Sequence, residues 1–511
     1  MSGFTGLFAT AEAQLPQQAP EPGYFADLQL DQLVEAVTAG RERHNLKPAF
    51  SVRLTDAAAV EARQAVFADL ADEQLRAAAR AFCDGLTRCA RQFEAASQVR
   101  HPRQAQRWRL NALTSYVNVV DAAGAALDRA TPSSAGLRSW SAWLRAYRSG
   151  PEFTALAGQA RALLTELGGL RYTLSIAGDE IVASPFADQE DLNAGTLATF
   201  ERFAEDELTP HEFDLRAGAE MNELHAAVLD LVVKLFPDVF DRVARFVDRH
   251  PAVRPPVIGT VERELQFALA WLDFTDAVRA AGLRFCLPEL HGDAGLQVTG
   301  TFDVMLARTL AADGRAPVTN GVALHGDERV LVVTGPNQGG KTTFARTVGQ
   351  LYHLAALGLP VPGRSAALHV PDAILTHFDR GDRAADLRSR LEDEVQRMTQ
   401  LLPHVTGRSV VILNEMFSST TFVDARTMSI DVLRDVLEAG AVGVCVTFID
   451  ELSRLDPRVV SLTTGIDERD ATRRTFEVTR GRADGEAHAL ALATKYGLTR
   501  DQLRTRIEAR A

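Results

Sequence analysis

Between Ala57 and Phe93 apolar residues recur at helical spacing, with Val66, Leu70, Leu75 and Ala79 on one stripe. The same texture returns over Ala155–Leu167, over Ala217–Phe246 and over Val261–Ala281, the last carrying Leu265, Phe267, Leu269, Trp271, Leu272 and Phe274. Stripes of this kind predict helices packed on helices rather than a cofactor box. One insert departs from the pattern. Tyr172–Ile176 and Glu180–Ala183 flank Ala177-Gly178-Asp179, which predicts a β-hairpin. From about Leu283 the period changes. Short β-branched runs at Val330–Thr334, Val410–Leu413 and Gly443–Thr447 alternate with helical stretches at Asp386–Leu402 and Ala425–Ala439. That alternation predicts a parallel sheet with helices on its faces. The expected layout is a Gln-, Pro- and Ala-rich flexible tail over 1–27, a mostly α-helical domain over 28–282 and an α/β domain over 283–511.

Composition narrows the classes. The 511 residues are 46% hydrophobic, enough for several buried cores, and the formal net charge is -12. A protein that coats nucleic acid through its overall charge is excluded, so any DNA contact must come from a local patch. Cys83, Cys89, Cys286 and Cys445 have no metal-ligand or disulfide-framework spacing. They suit buried thiols in a reducing cytoplasm. Met1–Ala19 lacks Lys and Arg, which does not suit a signal peptide. No apolar run reaches the roughly 20 residues of a membrane span. A cytoplasmic protein without membrane contact is expected.

The chemistry concentrates at Gly335-Pro336-Asn337-Gln338-Gly339-Gly340-Lys341-Thr342, which fits G-x-x-x-x-G-K-[ST]. An apolar strand precedes it, and Thr343 opens the helical stretch that follows. Glycines let backbone N–H groups turn toward phosphate oxygens, and a helix N-terminus adds a positive field. Lys341 is expected to reach the phosphates of ATP, and Thr342 to ligate Mg²⁺. The strand Val410–Leu413 ends in Asn414-Glu415, where nucleotide hydrolases place a Mg²⁺-associated acid and a water-activating carboxylate. Glu415 is the expected general base. Asn414, neutral where an Asp is usual, is expected to support the Mg²⁺ shell without charge.

These motifs together resemble the MutS family of DNA mismatch-repair ATPases. The loop with Thr343 is similar to that family's G-P-N-M-G-G-K-S-T. Asn414-Glu415-Met416-Phe417-Ser418-Ser419-Thr420-Thr421 resembles D-E-x-G-R-G-T-S-T, and Thr447-Phe448-Ile449-Asp450-Glu451-Leu452 resembles T-H-x-x-E-L. Asp484–Ala493 resembles the small-residue helix near the end of the ATPase domain, and Glu394 falls where the family carries an acid. The resemblance implies an ABC-type phosphate-loop ATPase domain preceded by a helical core and lever. It implies a homodimer in which Ser419, Thr420 and Thr421 complete the partner's ATP site. It also implies ATP-driven dimer closure coupled to DNA binding in repair or recombination.

The departures are as specific as the matches. Asn414 replaces the Asp, Phe448 the His, and Phe417-Ser418-Ser419 the G-R-G turn. By the same resemblance Leu375 takes the place of an aromatic that stacks on adenine. The space before the ATPase domain leaves little room for mismatch-recognition domains, so DNA specific to mismatches is not expected. The rival reading is a nucleotide-switched protein-binding or scaffold module with little hydrolysis and no DNA specificity. Arg100-His101-Pro102-Arg103 through Arg109, with Trp108, is the strongest basic cluster. One short run of this kind favours a solvated helix face over a nucleic-acid site. Arg473-Arg474 and Arg480-Gly481-Arg482 are expected to be surface or interface residues. No metal site beyond nucleotide-bound Mg²⁺ is expected.

Overall fold

The structure is a computed structural model, and it describes residues 3–8, 14–177, 180–187, 221, 223–251, 254–378, 390–467, 473–481 and 498–508. Its contacts divide the chain into two compact units, one of Met1–Phe4, Gln74–Thr131 and Ser139–Glu262, the other of Thr5–Glu73, Pro132–Arg138 and Arg263–Ala511. The interleaving places the helical residues up to Glu73 with the C-terminal half.

In the first unit, helix Pro102–Ala130 packs against helices Pro151–Gly168 and Pro237–Arg249. Its buried stripe is Leu110, Leu113, Val117, Val120 and Leu127. The polar positions between these lie outside, and Arg148 and Arg161 pair with Asp121 at 3.0 and 2.8 Å. The predicted hairpin forms, Tyr172–Ala177 pairing antiparallel with Glu180–Pro185. Its two tip residues lie outside the described residues. The stretch expected over Ala217–Phe246 forms two helices from Glu223 onward, because Pro237 starts the second one at a position where it needs no N–H donor. The stretch expected over Ala57–Phe93 is likewise two helices, Ala57–Asp69 and Glu73–Gln98. Asp56 caps the first of these by accepting from the Ala58 and Ala59 N–H groups.

The second unit is built on a six-stranded sheet in the order 374–378, 410–414, 442–446, 330–334, 459–466, 474–480. The first five are parallel to one another, and the last is antiparallel. Every residue of Val330–Thr334, Val410–Asn414 and Val442–Val446 is buried. Such continuous apolar runs are what a sheet covered on both faces requires. Val330, Val332, Val411 and Leu413 point to the side of helix Phe422–Ala439, packing with its Val432, Leu433 and Val436. The alternate residues meet helix Lys341–Ala356. A smaller four-stranded sheet, ordered 289–291, 365–369, 296–301, 320–323, lies in the same unit.

The segment before residue 27 contributes to this unit's core. Leu7 and Phe8 are buried, the Arg63 guanidinium lies 4.6 Å from the Phe8 ring centre, and the Leu7 N–H donates to Glu264 Oε2 at 2.6 Å. Burial pushes the Glu264 carboxyl up to about 7, against the lowering effect of the Leu7 and Phe8 N–H groups, Arg63 and Arg263.

Candidate functional site

Because strands 330–334, 410–414 and 442–446 are parallel, their C-terminal ends open onto the same edge of the sheet. Ligands in open α/β sheets bind at that edge. The residues following the three strands are Gly335, Glu415 and Thr447, so the sheet assembles the motifs that lie far apart in the chain.

The first loop is shaped by its glycines. Gly340, with φ 91°, is the cap of helix Lys341–Ala356. A Cβ on Gly339 would come within 2.5 Å of the Thr464 hydroxyl, so the loop lies directly on strand 459–466. Lys341 is 5% exposed, and its ammonium donates to the Gly335 and Pro336 carbonyls at 2.9 and 3.2 Å and faces Asn337 Oδ1 at 3.4 Å. Burial lowers its pKa, Glu415 opposes that, and Arg474 adds to it. Thr342 donates its hydroxyl to Asn414 Oδ1 at 2.9 Å. Glu415 follows, half-buried, with its N–H on the Val446 carbonyl at 2.9 Å.

Strain gathers here. Of the seven non-glycine residues with positive φ among the described residues, four (Gln338, Glu415, Phe417 and Phe476) belong to these loops or to the wall beside them. Each such backbone costs on the order of 1 kcal/mol and persists only where its surroundings hold it. Phe417 stands where the resembled turn has Gly, keeps φ at 55°, and is only 2% exposed. Burial of its ring offsets the strain a glycine would avoid.

Gly339, Gly340, Lys341, Thr342, Thr343 and Glu415 line a cavity of about 780 Å³ that also takes in Asn337 and Gln338. A cavity of several hundred Å³ suits a nucleotide-sized molecule. An apolar part of its wall is made by Leu306, Leu310, Pro317, Val318 and Phe476, the last lying 3.5 Å from where a Cβ on Gly340 would sit. Leu375, expected in the place of an adenine-stacking residue, does not line this cavity; it lies in strand 374–378, paired with Val411. Asn320 fixes this wall by donating to the Phe476 carbonyl at 3.2 Å and accepting from the Val478 N–H at 2.8 Å. This wall has no signature in the sequence, because residues 306–318 and 476 carry no motif and meet only through the fold.

The loop after Glu415 is anchored by buried Met416 and Phe417 and then exposes Ser418 and Ser419. Ser419 donates to Glu394 Oε2 at 3.2 Å. Thr421 caps helix Phe422–Ala439, accepting from the Asp424 N–H at 3.3 Å and donating to Asp424 Oδ2 at 2.8 Å. Thr420 sits between them with its N–H on the Phe417 carbonyl at 3.4 Å. Phe422, Val423 and Phe448 are 54, 68 and 51% exposed, an apolar surface beside this loop.

The basic cluster 100–109 lies at the start of helix Pro102–Ala130, and part of its charge is met within its own unit. His101 faces Asp230 at 3.2 Å, and Arg103 faces Asp241 at 3.2 Å. That arrangement suits a helix face. Cys83, Cys89 and Cys445 are buried and Cys286 half-buried, all as free thiols. Among the described residues no group of three or more His, Cys, Asp or Glu is placed to hold a metal, and no helix is long and apolar enough to cross a membrane. The small-residue stretch Asp484–Ala493 and Arg482 lie outside the described residues.

Residues 331–503 match the family model for MutS domain V, the ATPase domain of MutS proteins. A protein of Symbiobacterium thermophilum described as DNA mismatch repair protein MutS is 30% identical over 280 residues, 53% of this chain and 29% of that protein. A protein of Halobacterium salinarum described as DNA mismatch repair protein MutS 2 is 29% identical over 309 residues, 59% of this chain and 32% of that protein. The chain thus spans less than a third of the length of each of these relatives. Residues 331–503 are thus similar to a MutS domain V, and the two relatives extend the likeness to MutS proteins over more than half of the chain.

Proposed function

We propose that this protein is a Mg²⁺-dependent ATPase that couples ATP-driven dimer closure to DNA binding in repair or recombination. The observation that carries the reading is the convergence of Lys341, Thr342, Asn414 and Glu415 on one edge of a parallel sheet, with three of the four lining a nucleotide-sized cavity. In this reading the backbone of Gly335–Gly340, together with Thr342 and Thr343, cradles the phosphates. Lys341 trades its carbonyl partners for phosphate oxygens. The base enters between Pro317, Val318 and Phe476.

The oxygen donors fit Mg²⁺, a hard cation that keeps several waters. The Thr342 hydroxyl and the Asn414 amide oxygen, already 2.9 Å apart, would hold it, and it would neutralise phosphate charge. Glu415 accepts a proton from the attacking water as oxygen bonds to the γ-phosphorus and ADP leaves. Ser419, Thr420 and Thr421 reach the site of a second copy. The unit of Gln74–Thr131 and Ser139–Glu262, within the expected 28–282, supplies the helical core and lever, and the unit that holds the six-stranded sheet the ATPase part. Both relatives are described as DNA mismatch repair proteins, which supports a DNA-linked role.

A second reading is favoured by two observations. The Asn414 amide is neutral, and the apolar surface of Phe422, Val423 and Phe448 is exposed. Both suit a nucleotide-switched protein-binding module with little turnover. Steady-state ATP hydrolysis decides between them. It is measured with Mg²⁺, alone and with homoduplex, mismatched, branched and single-stranded DNA, with Lys341→Ala as control. Lys341-dependent multiple turnover, stimulated by a DNA form, is the expected result. A single stoichiometric burst, indifferent to DNA, selects the binding module.

A further inference from the structure

Arg474 opens strand 474–480, which pairs with 459–466, itself the neighbour of the strand that feeds the glycine loop. The register sets Arg474 opposite Ile466, on the stretch just beyond Thr463 and Thr464 that lies against the loop. Its Nε donates to the Asn337 carbonyl at 3.4 Å. Its side chain lines a second hollow of about 710 Å³ that shares Val318, Gln338 and Phe476 with the nucleotide-sized cavity, so the two are contiguous. The charges of Glu415 and Arg474 both act at the Lys341 ammonium, in opposite directions and Glu415 the more strongly. Asp467 borders the same hollow.

The balance of charge gives this placement its meaning. Three charged side chains besides Lys341 line the main cavity: Asp303 is committed to the Met305 and Leu306 N–H groups at 2.9 and 2.8 Å and to Gln350 at 3.1 Å, Arg315 pairs with Asp313 at 2.9 Å, and Glu415 acts on Lys341. The group that meets the Thr342 hydroxyl is an uncharged amide, so the metal position draws less negative charge from the protein than a carboxylate would give it. A guanidinium beside the loop adds positive charge where the phosphates would lie, in a planar fork matched to their oxygens.

We propose that Arg474 is a phosphate-binding residue of the nucleotide site, and that Lys341 and Arg474 together hold the nucleotide's phosphates so that binding survives the removal of Mg²⁺. The inference rests on the reading of this cavity as a nucleotide site. The test is equilibrium binding of ATP carrying a fluorescent ribose label to the full chain, in Mg²⁺ and in EDTA, with thermal melts to confirm folding. The wild-type protein weakens less than about fivefold on going from Mg²⁺ to EDTA. Arg474→Ala weakens binding about tenfold or more in EDTA and clearly less in Mg²⁺, where the metal shares the charge. Arg474→Lys, keeping charge without the fork, recovers part of the loss. Equal losses in both media would make Arg474 only a brace for the Asn337 turn and overturn the inference, as would unchanged affinity in Arg474→Ala. Wild-type protein that binds no nucleotide in either medium, or Lys341→Ala that binds as well as wild type, sinks the nucleotide-site reading itself.

Discussion

Two loops leave the same edge of the sheet and are built on different principles. The loop after Val330–Thr334 keeps each residue that phosphate binding asks for, and its Gly339 and Gly340 occupy positions where a side chain would clash or strain. The loop after Val410–Asn414 keeps Glu415 but has Asn414 where charge is usual and Phe417 in a backbone conformation that suits glycine. The first is governed by backbone geometry, which tolerates almost no change. The second is governed by side-chain charge and packing, which other residues can offset. In the proposed reading the contrast separates holding a nucleotide from cleaving it.

The strongest way to break that separation is Glu415→Gln. Turnover should fall by about 100-fold or more while nucleotide affinity stays within about threefold, read by phosphate release and by direct binding. A variant that hydrolyses normally removes Glu415 from the chemistry. Next in size is Lys341→Ala, which should weaken ATP binding by about 100-fold, measured by the same titration. Affinity left intact would return the glycine loop to a structural turn.

Asn414→Asp sharpens the comparison from the other side. Restoring a carboxylate next to the Thr342 hydroxyl should steepen the Mg²⁺ dependence of binding by about tenfold and raise turnover. A flat response would mean that the amide already serves the metal fully. The smallest effect belongs to the apolar surface. Phe448→Ser should weaken self-association a few-fold in sedimentation, with the isolated nucleotide affinity unchanged. Undiminished association would move the interface elsewhere.

How much of this was legible in the chain follows from the range of the interactions. Gly335–Thr342 could be read because its chemistry is local, and the three buried strands because continuous apolar runs have few other homes. Asn414 and Glu415 could be placed because they end such a run. The apolar wall of the cavity could not. Leu306, Val318 and Phe476 come together through a helix, a loop and an antiparallel edge strand with no shared pattern. The partition into units was equally hidden, since a helical stripe says that a face is buried and not against what. Leu7 and Phe8 escaped notice because two apolar residues within a stretch poor in them carry no periodicity.

Those two residues have a practical consequence for anyone handling the protein. Glu264 is 1% exposed, with the Leu7 N–H held against its carboxylate. Trimming the first eight residues would look harmless from composition, yet it would take the Leu7 and Phe8 donors from a buried acid and the Phe8 ring from beside Arg63. An affinity tag belongs at a distance from Thr5, and a shortened version should be screened for solubility before any activity it lacks is blamed on the glycine-loop cavity.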